Sequence, residues 1–178
     1  MRGFSTHRIL TRGLGCTLFV ASLSAGMVSC SNDMCYDNHN ALPLASLYSS
    51  SAPTKEISVD SISVWGIGAP NDSLLLDTAR NVQQIYLPFR IDDTSTSFVL
   101  RYDAVRRLSP TAPNDTLSFT YQPVPVFESQ ACGVFYRFDN VRIDYTTHFI
   151  DSVVCPEGYI DNRPAANLQI FFRTQPTN

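Results

Sequence analysis

From residue 41 onward, apolar and polar residues alternate with a period of two in segment after segment, the pattern of strands that bury one face. Leu117, Phe119 and Tyr121 form the cleanest run, continued by Val124 and Val126 between Pro123 and Pro125. Ile85, Leu87, Phe89 and Ile91 make a second run within residues 82–91, and Phe98, Leu100 and Tyr102 a third. Residues 57–65 alternate too, but change phase at Asp60-Ser61, which predicts a bulged strand or two short ones. Further strands are predicted over residues 41–48, 73–76, 132–138, 141–145, 149–154 and 168–172. Pro43 predicts a sheet-edge position for 41–48.

Turn chemistry separates these segments at residues 49–54 and 69–72, two prolines break 109–114, and Asp139-Asn140 predicts a tight turn. No segment beyond residue 40 carries a helical stripe of ten or more residues. The expected fold is therefore all-β, an immunoglobulin-like antiparallel β-sandwich of about seven to nine strands, with a small β-barrel as the alternative. Eleven prolines suit strand edges and connections better than the wall of a barrel.

The first 30 residues read differently. An apolar run over residues 14–30 follows Arg2, Arg8 and Arg12, has no acid before Asp33, and closes on small residues ahead of Cys30. Basic head, apolar middle and small-residue exit make a secretory signal peptide, too short and too interrupted for a membrane span. Met27-Val28-Ser29-Cys30 resembles the bacterial lipobox, which implies that Cys30 is lipidated and becomes the mature N-terminus. The expected organisation is signal peptide 1–29, lipidated N-terminus and tether 30–40, and a β-sandwich domain 41–178. The expected location is the cell envelope, anchored by lipid in the outer membrane.

Loss of residues 1–29 removes three arginines and no acid, taking the formal charge from −3 to −6. Lys55 is the only lysine, and the arginines are scattered apart from the pair Arg106-Arg107. Such a surface has no basic stripe for nucleic acid.

Of five cysteines, Cys16 leaves with the signal peptide and Cys30 carries the lipid. Cys35, Cys132 and Cys155 remain in a compartment that permits disulfides. Their odd number leaves one thiol free or paired between molecules. Cys35–Cys132 is favoured because it closes a long loop, where a crosslink restricts the unfolded chain most. Cys132–Cys155 is the rival.

The order of several short stretches resembles a group of small single-domain lipoproteins of unknown function from Bacteroidota. These stretches are Cys30 with Cys35, Ile57-Ser58-Val59-Asp60-Ser61-Ile62-Ser63-Val64, Gly66-Ile67-Gly68, Asn71-Asp72-Ser73-Leu74-Leu75 and Ile85-Tyr86-Leu87-Pro88-Phe89. Thr96-Ser97-Phe98, Asp115-Thr116-Leu117-Ser118-Phe119-Thr120-Tyr121, residues 129–133, Ile150-Asp151 and Asn167-Leu168-Gln169-Ile170-Phe171-Phe172 continue the series. The resemblance implies a lipoprotein and a compact β domain, and supplies no activity. Cys155 departs from it, standing where an ordinary strand residue is expected.

Candidate chemistry is sparse. Asp followed by Ser or Thr and then a small or aliphatic residue recurs at Asp60-Ser61, Asp72-Ser73, Asp77-Thr78, Asp115-Thr116 and Asp151-Ser152. This resembles the periplasmic O-glycosylation sequon of Bacteroidota and makes Ser61, Ser73, Thr78, Thr116 and Ser152 candidate sugar acceptors. The same dipeptides also start turns and cap strand ends, because their oxygens bond nearby backbone N–H groups. A serine hydrolase needs a base beside its nucleophile, and beyond residue 30 only His39 and His148 exist, without a Gly-x-Ser-x-Gly elbow. The thiols are too far apart to form a zinc site, and neither Asp92-Asp93 nor Asp33 with Asp37-Asn38 has the spacing of a calcium loop. Gly66-x-Gly68 reads as a turn or bulge.

Glu128, Asp139, Asp144, Asp151 and Glu157 fall in the C-terminal half and could supply the pair of a two-carboxylate glycosidase, though scattered acids are expected on such a surface. Tyr121, Phe127, Phe135, Tyr136, Phe138, Tyr145 and Tyr159 are either core and edge aromatics or stacking platforms for sugar rings. The leading expectation is a non-catalytic binding or scaffolding module without cofactor or metal, whose partners are the membrane and an envelope protein or glycan. The alternatives are a carboxylate-dependent enzyme acting on envelope polysaccharide and a purely structural lipoprotein.

Overall fold

A computed structural model describes Cys35 and residues 41–70 and 73–173. The strands in chain order are β1 (Leu44–Ser49), β2 (Ala52–Glu56), β3 (Ile62–Gly66), β4 (Leu74–Ala79), β5 (Gln84–Tyr86) and β6 (Ser95–Tyr102). A six-residue helix, α1 (Asp103–Leu108), precedes β7 (Asp115–Ser129), β8 (Gly133–Tyr145), β9 (Ile150–Val154) and β10 (Leu168–Phe172). They form two five-stranded sheets. One runs β2-β1-β10-β9, with β5 also pairing β1, and the other runs β4-β3-β6-β7-β8.

Strand alternation builds the core. β6 buries Thr96, Phe98, Leu100 and Tyr102, while β7 buries Asp115, Leu117, Phe119 and Tyr121. Leu47, Ile85, Ile150, Leu168 and Ile170 of the other sheet join them in one apolar cluster. The fold is the expected all-β class with two sheets and no closed barrel.

The phase change at Asp60-Ser61 marks where the chain passes between sheets. Ile57 N–H still bonds Leu47 O and Val59 still bridges Val82, whereas Ile62 begins the ladder with Tyr102. Ser61 makes the switch at φ 55°.

Several expectations are corrected. β1 is an interior strand, parallel to β10 from Ala45↔Leu168 to Ser49↔Phe172, with β5 and β2 sharing its other side. Pro43 falls just before the ladder, so its missing donor is not needed there, and its carbonyl accepts Leu87 N–H at 2.9 Å. The parallel pair is the one departure from an antiparallel sandwich among the described strands, and short β2 and β5 raise the count to ten.

Residues 82–91 give only three residues of ladder, because Pro88 interrupts it. The period of two nevertheless holds through Leu87 and Phe89, then fails at Ile91, which is 42% exposed.

Asp139-Asn140 is no turn but lies inside one thirteen-residue strand, with the bulge at Asn140-Val141. Thr120 pairs Arg142 and Gln122 pairs Asp139, so two residues of β8 face Tyr121. Asn140 adopts φ 55°, and that left-handed conformation serves tight turns and bulges alike. The reversal lies at residues 130–132, followed by Gly133 at φ 77°.

Helix α1 lacks a buried residue and a side-chain N-cap. It is held by Asp103, whose carboxylate accepts from Ser63 Oγ at 2.5 Å and Arg101 Nε at 2.6 Å.

Cys35 is bonded to Cys132 across 97 residues, the pairing favoured from loop length, and Cys155 is free.

Candidate functional site

β7 enters the core with an acid on its buried parity. Asp115 is 0% exposed, and a carboxylate so placed is tolerable only when its oxygens are saturated with donors. Its Oδ1 accepts from Thr146 Oγ1 at 2.9 Å and His148 N–H at 2.8 Å. Its Oδ2 accepts from Tyr102 Oη at 2.9 Å, Phe149 N–H at 2.8 Å and Ile150 N–H at 3.0 Å. The connection from β8 to β9 is thereby wrapped around one buried charge. Burial, and secondly the adjacent Asp115 carboxylate, push the Tyr102 phenol far above its ordinary range, so it remains a donor at any physiological pH.

This node shapes a groove. Phe149 is held against Tyr102 at 4.4 Å between ring centroids, and Phe172 meets Tyr102 edge-on at 6.1 Å. With Ile57, Val59, Ala104 and Val105 these rings line an open cleft of about 410 Å³. Ser58, Asp60 and Arg173 supply its polar lining. Arg173 is fixed by Nη1 donating to Thr147 O at 2.9 Å, with Asp151 at 3.5 Å from its Nε. The arrangement suits an apolar group up to a large side chain or two.

The sequence-derived candidates are dispersed. Ser61 is fully buried, its hydroxyl accepting from Arg107 and donating to Asp60, so it offers no acceptor surface for a sugar. Ser73 and Thr78 are exposed, Thr78 Oγ1 donating to Asp77 at 3.2 Å. Thr116 and Ser152 are half-buried within ladders opposite Val99 and Phe171. Asp72 and Asn71 lie outside the described residues, as do Cys30, His39, Asp33, Asp37 and Asn38.

His148 is an exposed side chain whose backbone N–H serves Asp115. Cys155 is half-buried with Sγ 3.7 Å from Tyr159 O, and burial pushes its thiol pKa up, which makes it a poor nucleophile at neutral pH.

Most of the candidate acids are tied up. Asp139 takes both donors of Arg137 at 2.7 and 2.8 Å, Asp151 meets Arg173, and Glu128 accepts from Asn162 at 3.5 Å. Asp144 stands in the β8 ladder opposite Ser118. Glu157 and Asp161 both bind Arg163 at 2.6 Å. Hydrogen bonds from Tyr159 and then Arg163 lower the Glu157 pKa, the opposite of what a glycosidase general acid needs. Asp93 caps Thr94 and Ser95 N–H groups, and no group of three or more potential metal ligands occurs among the described residues.

Among the aromatics, Tyr121 and Phe138 are core residues. Tyr121 stacks on Phe89 at 4.5 Å and donates to Arg90 O at 2.9 Å. Tyr159 has the guanidinium groups of Arg137 and Arg163 over its ring, at 5.7 and 5.9 Å from the centroid. Phe135, Tyr136 and Tyr145 are half-buried and Phe127 is exposed.

Asp115 is the residue that sequence reasoning passed over, treating it only as half of a sugar-acceptor dipeptide. The signal was its parity: it is in phase with Leu117, Phe119 and Tyr121, and an acid on the inward face of a strand must be paid for by local donors.

No curated protein and no solved structure matches the chain. A family model described as a family of unknown function, DUF6452, matches residues 61–172, from the start of β3 to the end of β10. The match contains Asp115 and the groove residues Tyr102, Val105, Phe149 and Phe172. The chain belongs to the DUF6452 family.

Proposed function

We propose that this chain is an envelope lipoprotein of the Bacteroidota type, held by lipid on Cys30, whose sandwich binds a protein partner without catalysis through the groove beside Tyr102 and Phe149. The anchor rests on the leader pattern and Met27-Val28-Ser29-Cys30. The single observation that carries the binding reading is the groove itself. It is a largely apolar cleft of about 410 Å³ beside a buried carboxylate, and its only phenol is locked as a donor to Asp115. An apolar side chain from a partner suits that lining better than a glycan. Tyr102 and Phe172 are nearly buried and present no free ring face for a sugar.

The test is a photo-reactive amino acid placed at Val105, with Arg142 on β8 as the control position, in the protein expressed in its own envelope. A discrete adduct from position 105, absent at 142 and lost when Phe149 is replaced by Asp, is the expected outcome. Equal labelling at both positions, or none at 105, refutes binding through this groove. For sugar attachment, the exposed Ser73 and Thr78 are the proposed acceptors.

A further inference from the structure

The ladder between β6 and β7 ends at Ser95↔Thr120, yet β7 and β8 stay paired to Ser129↔Gly133. Beyond Thr120 the hairpin is therefore an arm without β6 beside it, its base packed in the core through Tyr121 and Phe138 and flanked by residues 158–162 through Phe138↔Ile160 and Asn162 on Glu128, and it reaches about 23 Å further by Phe127 at ~3.3 Å per residue. At its tip Phe127 pairs directly with Val134. Both point to the same face, and they are 65% and 51% exposed. The same tip carries the disulfide from Cys132 to Cys35, and Ala41 N–H bonds Tyr136 O nearer the base of the arm. The chain thus leaves the sandwich at the end of the arm.

We infer that the arm tip is a membrane-contact element: Phe127 and Val134 rest in the interfacial layer of the bilayer, and the arm stands the sandwich end-on above it. This rests on the proposed lipid at Cys30. Cys35 is five residues along from Cys30, a reach of at most about 18 Å, so an anchored Cys30 keeps the exposed pair beside the lipid surface. Without the disulfide the next described residue bonded to the sandwich is Ala41, eleven residues along from Cys30, and the reach grows to about 40 Å.

Residues 123–136 contain one acid, Glu128, and no base, so contact is apolar and indifferent to lipid charge. Asp115 and Ser129 mark opposite ends of β7, at most about 46 Å apart at ~3.3 Å per residue. The groove beside Asp115 accordingly faces away from the membrane, where a partner can reach it.

The experiment uses the full acylated chain on phosphatidylcholine vesicles containing lipids brominated along their acyl chains. The native chain has one tryptophan, Trp65, which sits level with Val99 and Thr116 at the far end of β7 and serves as the internal control. In F127W the added tryptophan is expected to shift to the blue on vesicles and be quenched several-fold more than Trp65. Adding C35S and C132S to F127W is expected to reduce that quenching while the chain still floats with the vesicles. A chain that floats but leaves position 127 unquenched overturns the arm contact alone, and quenching unaffected by loss of the disulfide overturns its orienting role. A chain that does not float and bears no acyl group on Cys30 overturns the anchor and, with it, this inference.

Discussion

Replacing Asp115 by Asn tests whether one buried carboxylate organises the groove end of the sandwich. The side chain keeps its size but exchanges an oxygen for an NH2 group. In wild type, Oδ1 faces two donors and Oδ2 faces three. Whichever way the amide is turned, at least one backbone N–H then confronts a donor, that of His148 on the Oδ1 side or those of Phe149 and Ile150 on the Oδ2 side. A buried donor left without a partner costs about 1–3 kcal/mol, and the surviving bonds lose their charge assistance. The expected loss is about 2–4 kcal/mol, a substantial part of the ~5–15 kcal/mol that a domain of this size has in total. Equilibrium guanidinium unfolding reads it as a lower midpoint at similar slope, and thermal unfolding as a drop of about 10 °C. D144N, at an exposed position of β8, is the control and is expected to change little. Should D115N leave too little folded protein, T146V removes one bond to Oδ1 together with the acceptor of Thr116 N–H and is expected to cost about 1–3 kcal/mol. A D115N protein within about 1 kcal/mol of wild type refutes the reasoning.

Three other outcomes follow from the same structure. Tyr102 is raised above its unfolded value by burial and Asp115, so its contribution is complete below the unfolded tyrosine pKa, near 10, and is lost as pH rises beyond it; unfolding curves between pH 8 and 11 are expected to show a shallower alkaline loss in Y102F. Removing Cys35–Cys132, which spans 97 residues, is expected to lower stability by up to about 4–5 kcal/mol in the chain-entropy model, read from unfolding of C35S/C132S against wild type. Asn140 holds φ 55° in the β8 bulge, so N140G is expected to be near neutral while N140V costs about 1–2 kcal/mol, measured as a midpoint shift.

What was legible in the sequence was whatever strand alternation alone decides. The buried parity of β6 and β7 and the bounds of β10 follow from residues such as Phe98, Leu100, Leu117 and Ile170, because a half-buried strand must repeat every second residue. What escaped depended on distant partners. Pro43 looks the same in sequence whether it lies in a strand or just before one, and only the pairing of β1 with β10 puts it outside. Asn140 signals a positive φ without saying whether a turn or a bulge uses it. The groove was hidden because residues 57–60, α1, Phe149 and Phe172 meet only in three dimensions, and five donors 13 to 35 residues away converge on Asp115 from residues 102 and 146–150.

The claim on which the functional account depends most is the anchor, and the intact mass of the native protein purified from the envelope fraction tests it directly. The account predicts a chain that begins at Cys30 and carries acyl mass on that residue, with any sugar on Ser73 or Thr78 and none on Ser61. A chain that still begins at Met1 with no acyl group contradicts it.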